Sequence, residues 1–277
     1  EVLILSLIVF SHMQKTAGTS INYIFRNNFG WDFISTRPSY KKKDIFNRAI
    51  FTKEDLNFFL KINKKIKCIA GHSVRTYSDL EEIDIPLKYM TFLRDPVSRY
   101  LSHYNHHINY KKDNMPFEKW MENPRQSNFQ VKFLANEDNL SKAKEILENK
   151  FLFVGLAEEF DISLILMKHL LFLPASFNIK YQKRNISSGY KLNKKNLSPD
   201  ILDKIKEKNK LDILLYKHVK NHIFEEQKKR YGKNLLPDLN DFKKSLKNFK
   251  FNFTQILKYR ISHYFIYKLA DFRKYNK

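Results

Sequence analysis

Cysteine is almost absent from this chain of 277 residues, which contains only Cys68. A single cysteine excludes an intramolecular disulfide, and it excludes a zinc site built from thiolates. Disulfides persist in oxidising compartments, so their absence is typical of a protein from a reducing one. We therefore expect a cytoplasmic location.

A long apolar run is also missing. The run over residues 2–10 is too short to span a bilayer. It has neither the basic leader nor the cleavage site of a signal peptide. The sequence therefore predicts no membrane-spanning helix here, and only an anchor upstream of Glu1 would change the expected compartment.

Acidic residues are scarce, at 29 Asp and Glu against 51 Lys and Arg. The formal charge of +22 favours polyanionic partners, namely nucleic acid, an acidic membrane surface, or an acidic polysaccharide or nucleotide. A codon bias toward Lys, Asn, Ile and Phe explains the same composition without any partner. Both interpretations remain open on composition alone.

Short apolar runs alternate with segments of helical periodicity, which predicts an α/β domain with a mostly parallel sheet. The predicted strands cover residues 2–10, 66–70, 89–93 and 151–156, with a fifth at 177–181. The predicted helices cover residues 21–29, 52–60, 96–104, 126–134, 141–147, 161–171, 200–208 and 211–231. Residues 31–50 are predicted as a polar loop. We expect residues 1–232 to form the main domain and residues 233–277 a basic helical C-terminal extension.

The first predicted strand ends in a turn that has the character of an anion site. The turn and the start of the following helix consist of Lys15, Thr16, Ala17, Gly18, Thr19 and Ser20. Backbone N–H groups and a positive helix end meet there, and both bind phosphate. The lysine precedes the glycine, unlike in a P-loop, and no acidic residue stands out as a Mg²⁺ partner. The pattern predicts a phosphate site without a metal, and the alternative is an ordinary capped helix.

Two further strand ends carry reactive or charged side chains. Arg94 follows the third predicted strand and Ser102 lies two helical turns later, so together they can hold a second anion. His72 follows the second strand and titrates near neutral pH, so it can accept a hydroxyl proton. Because the ends of parallel strands share one edge, these groups can converge on a nucleotide with 5′ and 3′ phosphates. The alternatives are a salt-bridged corner at Arg94 and a structural loop role for His72.

Three segments resemble a known family. They are Phe-Ser-His-Met-Gln-Lys-Thr-Ala-Gly-Thr-Ser at 10–20, Ala-Gly-His at 70–72 and Phe-Leu-Arg-Asp-Pro-Val-Ser-Arg-Tyr-Leu-Ser at 92–102. They are similar to the carbohydrate sulfotransferases that use 3′-phosphoadenylyl sulfate, most closely to the heparan sulfate 6-O-sulfotransferases and their bacterial relatives. The resemblance covers residues 5 to about 231 and implies a P-loop-like sheet flanked by helices.

The resemblance also implies a role for each matching residue. Residues 15–20 would bind the 5′-phosphosulfate, and Lys15 would also stabilise the leaving phosphate. Arg94 and Ser102 would bind the 3′-phosphate, and His72 would be the catalytic base. The implied acceptor contacts are His106, Arg75, Asn128 and Gln130. The residues implied to close over the nucleotide are Lys183, Arg184 and Ser188.

The implied activity is transfer of a sulfuryl group from 3′-phosphoadenylyl sulfate to a hydroxyl of an acidic glycan or glycoconjugate, with neither a metal nor a nucleic-acid partner. The C-terminal extension is expected to contact a membrane surface peripherally. A Golgi location is expected only with an N-terminal anchor, since the cysteines of the animal enzymes are absent. Ala17 stands where relatives often have Gly. A kinase-like phosphoryl transferase and a non-catalytic basic module for glycan or nucleic acid remain the alternatives.

Overall fold

The computed structural model describes residues 6–36, 42–111, 115–182 and 192–250, together with helical residues at positions 257, 261, 264 and 268. The described strands form a single sheet in which every pairing is parallel. They are β1 (Leu7–Ser11), β2 (Phe33–Ser35), β3 (Cys68–Gly71), β4 (Leu87–Leu93) and β5 (Phe151–Leu156), in the spatial order β2-β3-β1-β4-β5. β1 therefore lies at the centre of the sheet, between β3 and β4.

Helices flank this sheet, which confirms the predicted α/β class. They are α1 (Gly18–Phe29), α2 (Lys53–Ile62), α3 (Pro96–Lys111), α4 (Phe117–Glu122), α5 (Phe129–Ala135), α6 (Leu140–Lys150), α7 (Phe160–Leu170), α8 (Pro199–Lys208), α9 (Lys210–His218), α10 (Phe224–Tyr231) and α11 (Leu235–Leu246). A π-helical turn, Val219–Ile223, joins α9 to α10.

Local capping signals set the starts of the helices that follow two of the loops. At α2, the Thr52 hydroxyl accepts from the N–H of Asp55, and the Asp55 carboxylate accepts from the N–H of Thr52 at 3.0 Å. This reciprocal pair is a capping box. At α3, Asp95 Oδ1 accepts from the N–H of Ser98 at 2.8 Å, and Pro96 occupies the first helical position. Both helix starts agree with the sequence pattern.

The fifth strand is not where the sequence pattern placed it. Residues 177–181 form no strand, and the ring of Phe177 instead packs against Phe25 and Phe29 of α1 at centroid distances of 5.9 and 5.2 Å. The fifth strand is β2, within the segment predicted as a polar loop, and it pairs with β3. β2 was missed because a strand of three residues is too short to show a periodic pattern. The predicted strand at 177–181 was wrong because the apolar side chain of Phe177 packs against a helix instead.

The C-terminal extension begins as part of the main core. Leu235, Leu239 and Phe242 of α11 are buried in the same apolar cluster as the sheet, and α11 packs against α7. The packing of α11 crosses the predicted boundary at residue 232, and the division of the chain there stays a prediction. None of the helices in the described ranges is long and apolar enough to cross a membrane. Contact of the extension with a membrane surface stays a prediction.

A buried glutamine closes the exposed edge of the sheet at β5. Gln227 of α10 accepts from the N–H of Val154 at 2.9 Å and donates to the carbonyl of Val154 at 2.8 Å. The side chain thereby replaces a neighbouring strand, because it satisfies both backbone groups of a residue that has no strand on that side.

Replacing Gln227 by Ala is expected to lower the free energy of unfolding by about 1–3 kcal/mol, because it leaves the buried N–H and C=O of Val154 without partners. Urea denaturation followed by circular dichroism measures this. Glu226→Ala, an exposed position on the same helix, is the matched control and should change stability by less than about 0.5 kcal/mol. Equal effects of the two substitutions would contradict the role given to Gln227.

Candidate active site

The turn between β1 and α1 has the backbone shape of an anion nest. Lys15 and Ala17 have positive φ values of 69° and 68°, and Thr16 between them does not. Alternation of backbone hand points successive N–H groups to one side, which creates a concavity for an anion. The N-terminus of α1 adds its own N–H groups and its positive dipole end. The turn is therefore shaped to hold a phosphate.

The side chains of this turn divide into inward and outward groups. Thr16 is fully buried, and its hydroxyl donates to the carbonyl of Met13 at 3.0 Å. Its hydroxyl therefore stabilises the turn, and only its backbone N–H remains for a phosphate. Thr19 is exposed and Ser20 is half-buried, so their proposed contacts with the 5′-phosphosulfate stay predictions.

Gly18 is required by a buried histidine that sequence reasoning did not single out. A Cβ at Gly18 would lie 1.6 Å from Nε2 of His12. The His12 ring stacks on Phe10 and lies 4.2 Å from the ring of His72, centroid to centroid. Burial lowers the pKa of His12 well below its ordinary value, and the nearby His72 lowers it further. The neutral His12 ring thus lies between Gly18 of the turn and the ring of His72, and it contacts both.

Arg94 connects the end of β4 to the same turn. Its Nη1 donates to the carbonyl oxygen of Lys15 at 3.1 Å. Burial lowers the pKa of Lys15, and the positive charge of Arg94 lowers it further. Glu158 lies 3.8 Å from Nε of Arg94 and offsets part of that charge. Two cations held close together beside a helix N-terminus favour a bound anion.

Gln130 and Asn128 both make structural hydrogen bonds; Gln130 is fully buried, and the acceptor contact of the half-buried Asn128 stays a prediction. Gln130 is fully buried, and its amide accepts from the N–H of Arg94 and donates to the carbonyl of Arg94, at 3.0 and 2.9 Å. The Asn128 side chain accepts from the N–H of Leu211 at 3.1 Å. Gln130 therefore holds the end of β4 in place, and Asn128 attaches α9 to α5.

Arg75 is also a positioning residue and not an acceptor ligand. Its side chain is fully buried against the ring of Phe133, with Cζ 3.9 Å from the centroid. Nη2 lies 2.6 Å from Oδ2 of Asp44, and Nη1 donates to the carbonyl oxygen of His72. An acceptor cannot reach this guanidinium, but the guanidinium fixes the backbone that carries His72.

The geometry of His72 suits a general base. Its Nδ1 lies 2.8 Å from the carbonyl oxygen of His12, and because a carbonyl only accepts, Nδ1 carries the proton and Nε2 is left as the acceptor. The residue remains partly exposed. Burial among protein atoms lowers its pKa to about 4; the bond to His12 opposes the shift, and the charges of Arg75, Arg48 and Lys15 add to it. The imidazole is therefore neutral at pH 7.

The remaining predicted residues lie on α3 or outside the described residues. Ser102 is half-buried and His106 exposed on α3, the helix that follows Arg94, and their ligand contacts stay predictions. Lys183, Arg184 and Ser188 fall in the segment 183–191, which is outside the described ranges. Within those ranges, no group of three or more His, Cys, Asp or Glu side chains is arranged to hold a metal ion.

A family model for galactose-3-O-sulfotransferases matches residues 85–250, which is more than half of the chain. The chain belongs to this family. The sulfotransferase resemblance seen in the sequence is thereby confirmed at the level of the family, while the heparan sulfate 6-O branch stays a prediction. The matched residues include Arg94 and Ser102 but not Lys15 or His72, whose roles depend on the geometry of the site.

The similarity to solved structures is more distant. A crystal structure of a sulfotransferase from Alicyclobacillus acidocaldarius superimposes with a TM-score of 0.46 and 12% sequence identity, over 77% of this chain and 95% of that one. No curated protein sequence matches the chain.

The unusual backbone at Ala17 gives a testable prediction. A left-handed conformation costs a non-glycine residue about 1–2 kcal/mol, so Ala17→Gly should leave the free energy of unfolding unchanged or raise it by up to about 1 kcal/mol. Ala143→Gly, inside α6, is the control and should lower it by about 1 kcal/mol. Urea denaturation distinguishes the signs. Equal destabilisation by both substitutions would show that the backbone at Ala17 is not left-handed.

Proposed function

We propose that this family member transfers a sulfuryl group from 3′-phosphoadenylyl sulfate to a hydroxyl of a carbohydrate. The observation that carries the proposal is the meeting of three strand ends. Arg94 at the end of β4 donates to the carbonyl of Lys15 after β1, and His72 after β3 lies against His12 after β1. Two cations, an anion nest and a neutral imidazole therefore share one edge of the sheet.

The donor fits the residues on this edge. The nest and the N-terminus of α1 suit the 5′-phosphosulfate, with Lys15 supplying positive charge. Arg94 suits the 3′-phosphate because a guanidinium binds phosphate through two parallel hydrogen bonds, and Ser102 follows on α3. The proposal assigns no metal, since the loop N–H groups and Lys15 already meet the charge of the leaving phosphate.

The proposed reaction is an in-line displacement at sulfur. The acceptor hydroxyl oxygen forms a bond to sulfur while the bond from sulfur to the 5′-phosphate oxygen breaks. Nε2 of His72 takes the hydroxyl proton, and Lys15 stabilises the charge that grows on the departing phosphate. The products are a sulfate ester and 3′-phosphoadenosine 5′-phosphate. The carbonyl of His12 keeps the imidazole in the tautomer that this step requires, and Arg75 holds the backbone of His72.

The acceptor class follows from the family and the composition. The family model names a galactose 3-hydroxyl, which makes β-galactosides the first acceptors to test. The sequence resemblance adds the 6-hydroxyl of heparan-type chains as the alternative. The charge of +22 favours an acidic glycan in either case. His106, exposed on α3, is the proposed acceptor contact.

Donor binding tests the proposal most directly. Wild-type protein should bind 3′-phosphoadenosine 5′-phosphate in EDTA, and Lys15→Ala should weaken binding by roughly 10- to 100-fold because a charge-assisted contact is lost. Calorimetric titration measures this. Lys229→Ala, at a highly exposed position on α10, is the control and should bind normally. Absence of metal-free binding by the wild type would overturn the assignment of the donor.

His72→Ala should keep its affinity for the nucleotide and lose transfer by roughly 10²-fold or more, because a general base contributes about that much. In the wild type, kcat/KM should fall only as the pH drops through about 4, since the imidazole must be neutral to act and its pKa is lowered to about that value. Sulfate transfer to a β-galactoside panel between pH 3.5 and 8 measures both. Transfer by His72→Ala at a near wild-type rate would exclude His72 as the base, and an acidic limb near pH 6.5 would show an unshifted histidine.

A further inference from the structure

Two arginines flank one aromatic ring beside the catalytic edge. Cζ of Arg99 lies 4.3 Å from the centroid of Phe129, and Cζ of Arg48 lies 5.8 Å from the same centroid. Arg48 also lies 5.5 Å from the ring of Phe46, which itself contacts Phe129. Cation–π contacts hold a guanidinium flat against a ring while leaving its N–H edge open to hydrogen bonds. We call the side chains of Arg48, Arg99, Phe46 and Phe129 the arginine–phenylalanine cluster.

The inner arginine of this cluster is a buried cation without hydrogen-bond partners. Arg99 is fully buried, and none of its three guanidinium nitrogens has a partner among the described residues. The carboxylate that acts on it, Asp212, already accepts from the N–H groups of Gln130 and Val131. Burial lowers the pKa of Arg99 to about 10, so it remains charged at neutral pH. Such a charge is costly unless an anion lies nearby.

The outer arginine is the one that a ligand can reach. Arg48 is half-buried, and its buried Nη1 also lacks a partner in the described ranges. Its aromatic contacts restrict the side chain, and its own backbone is held by Asp44, whose Oδ1 accepts from the N–H of Arg48 at 2.8 Å. The guanidinium is therefore positioned, and no described residue forms an ion pair with it, although the charge of Asp44 offsets part of its own.

A chain of hydrogen bonds ties Arg48 to the proposed base. Oδ1 of Asp44 holds the backbone of Arg48, while Oδ2 of Asp44 binds the guanidinium of Arg75. Arg75 in turn donates to the carbonyl oxygen of His72. The charge of Arg48 is also near enough to lower the pKa of His72. This chain connects the loop that carries Arg48 to the backbone of His72, so both residues belong to the same hydrogen-bonded unit.

We propose that Arg48 binds an anionic group of the acceptor, a sugar carboxylate or a sulfate already present on the chain, while a neighbouring hydroxyl lies at Nε2 of His72. This inference rests on the proposed function and adds the chemistry by which the acceptor is chosen. Both anions present paired oxygens that suit the two-pronged donor edge of a guanidinium. Arg99, on the same ring, adds positive potential that strengthens the attraction for an anion.

Matched acceptors that differ only in charge test the proposal. Heparosan and chondroitin carry sugar carboxylates, and their carboxyl-reduced forms are neutral acceptors with the same chain. Carboxyl-reduced chondroitin sulfate carries sulfate but no carboxylate. We expect wild type to prefer the anionic forms in kcat/KM by roughly tenfold or more. Arg48→Gln should abolish this preference by lowering kcat/KM on the anionic forms far more than on the neutral forms, and Arg48→Lys should keep part of it. The ratio of kcat/KM on the carboxylate-bearing and sulfate-bearing acceptors shows which of the two anions Arg48 binds.

Arg230→Gln removes the same charge from an exposed position on α10 and is the control for the general attraction of a basic protein. Equal loss of the preference in Arg230→Gln and Arg48→Gln, or an equal fall of both acceptor forms in Arg48→Gln, would overturn the role of Arg48. Binding of the same polymers to protein saturated with 3′-phosphoadenosine 5′-phosphate provides a second measurement without catalysis. If no polymer is sulfated, the proposed function fails, while this binding measurement still confirms or refutes Arg48 as the anion contact.

Discussion

The hydrogen bond from Arg94 to the carbonyl of Lys15 is the contact on which the candidate site depends. It joins the end of β4 to the turn after β1, so that two cations from separate parts of the chain are held beside one helix N-terminus. Gln130 fixes Arg94 by binding its N–H and its carbonyl, and Asp212 fixes Gln130 by capping the start of α5. Each of these contacts uses backbone groups, so the backbone of Arg94 is fixed by buried residues, and its guanidinium is held by the carbonyl of Lys15 and by Glu158.

Charge in this site is used in two different ways. The carboxylates of Asp44 and Asp212 accept backbone N–H groups and so hold loops and helix ends in place. The cations of the candidate site, above all Lys15, Arg94 and Arg48, are proposed to attract an anion. This arrangement explains why an excess of basic residues is compatible with a stable core, since the few buried acids are placed where they organise the backbone. The lowered pKa of His72 has burial as its main cause, and the positive charges of Arg75, Arg48 and Lys15 add to the shift.

The features of the site that the sequence predicted correctly are all features of the backbone: strand ends, turns and helix caps. The strand-turn-helix order at residues 7–20, the box at Thr52 and the cap at Asp95 follow from residue type and spacing, and the structure contains all three. The direction of a side chain does not follow from spacing. Arg75, Asn128 and Gln130 were therefore placed in the acceptor site from the sequence, although the structure turns them toward Asp44, Leu211 and Arg94.

The same limit explains what sequence reasoning missed. β2 has three residues and no periodicity, so only its pairing with β3 reveals it. His12 lies in the quoted turn motif, but its importance comes from a ring that fills the space above Gly18, which no residue count can show. Arg48 lies in a segment interpreted as a polar loop. Its link to His72 runs through Asp44 and Arg75, which are 31 residues apart in the chain.

Asp44 also has a consequence for how such enzymes diversify. One carboxylate anchors the loop at residues 44–48 with Oδ1 and supports the backbone of His72, through Arg75, with Oδ2. As long as this aspartate and the loop length are kept, the side chains at the neighbouring positions can be exchanged without moving the backbone of His72, although an exchange of Arg48 also removes a charge that lowers the pKa of the imidazole. Under the proposed function, exchanges in this loop would change which acceptor is bound while His72 keeps its position.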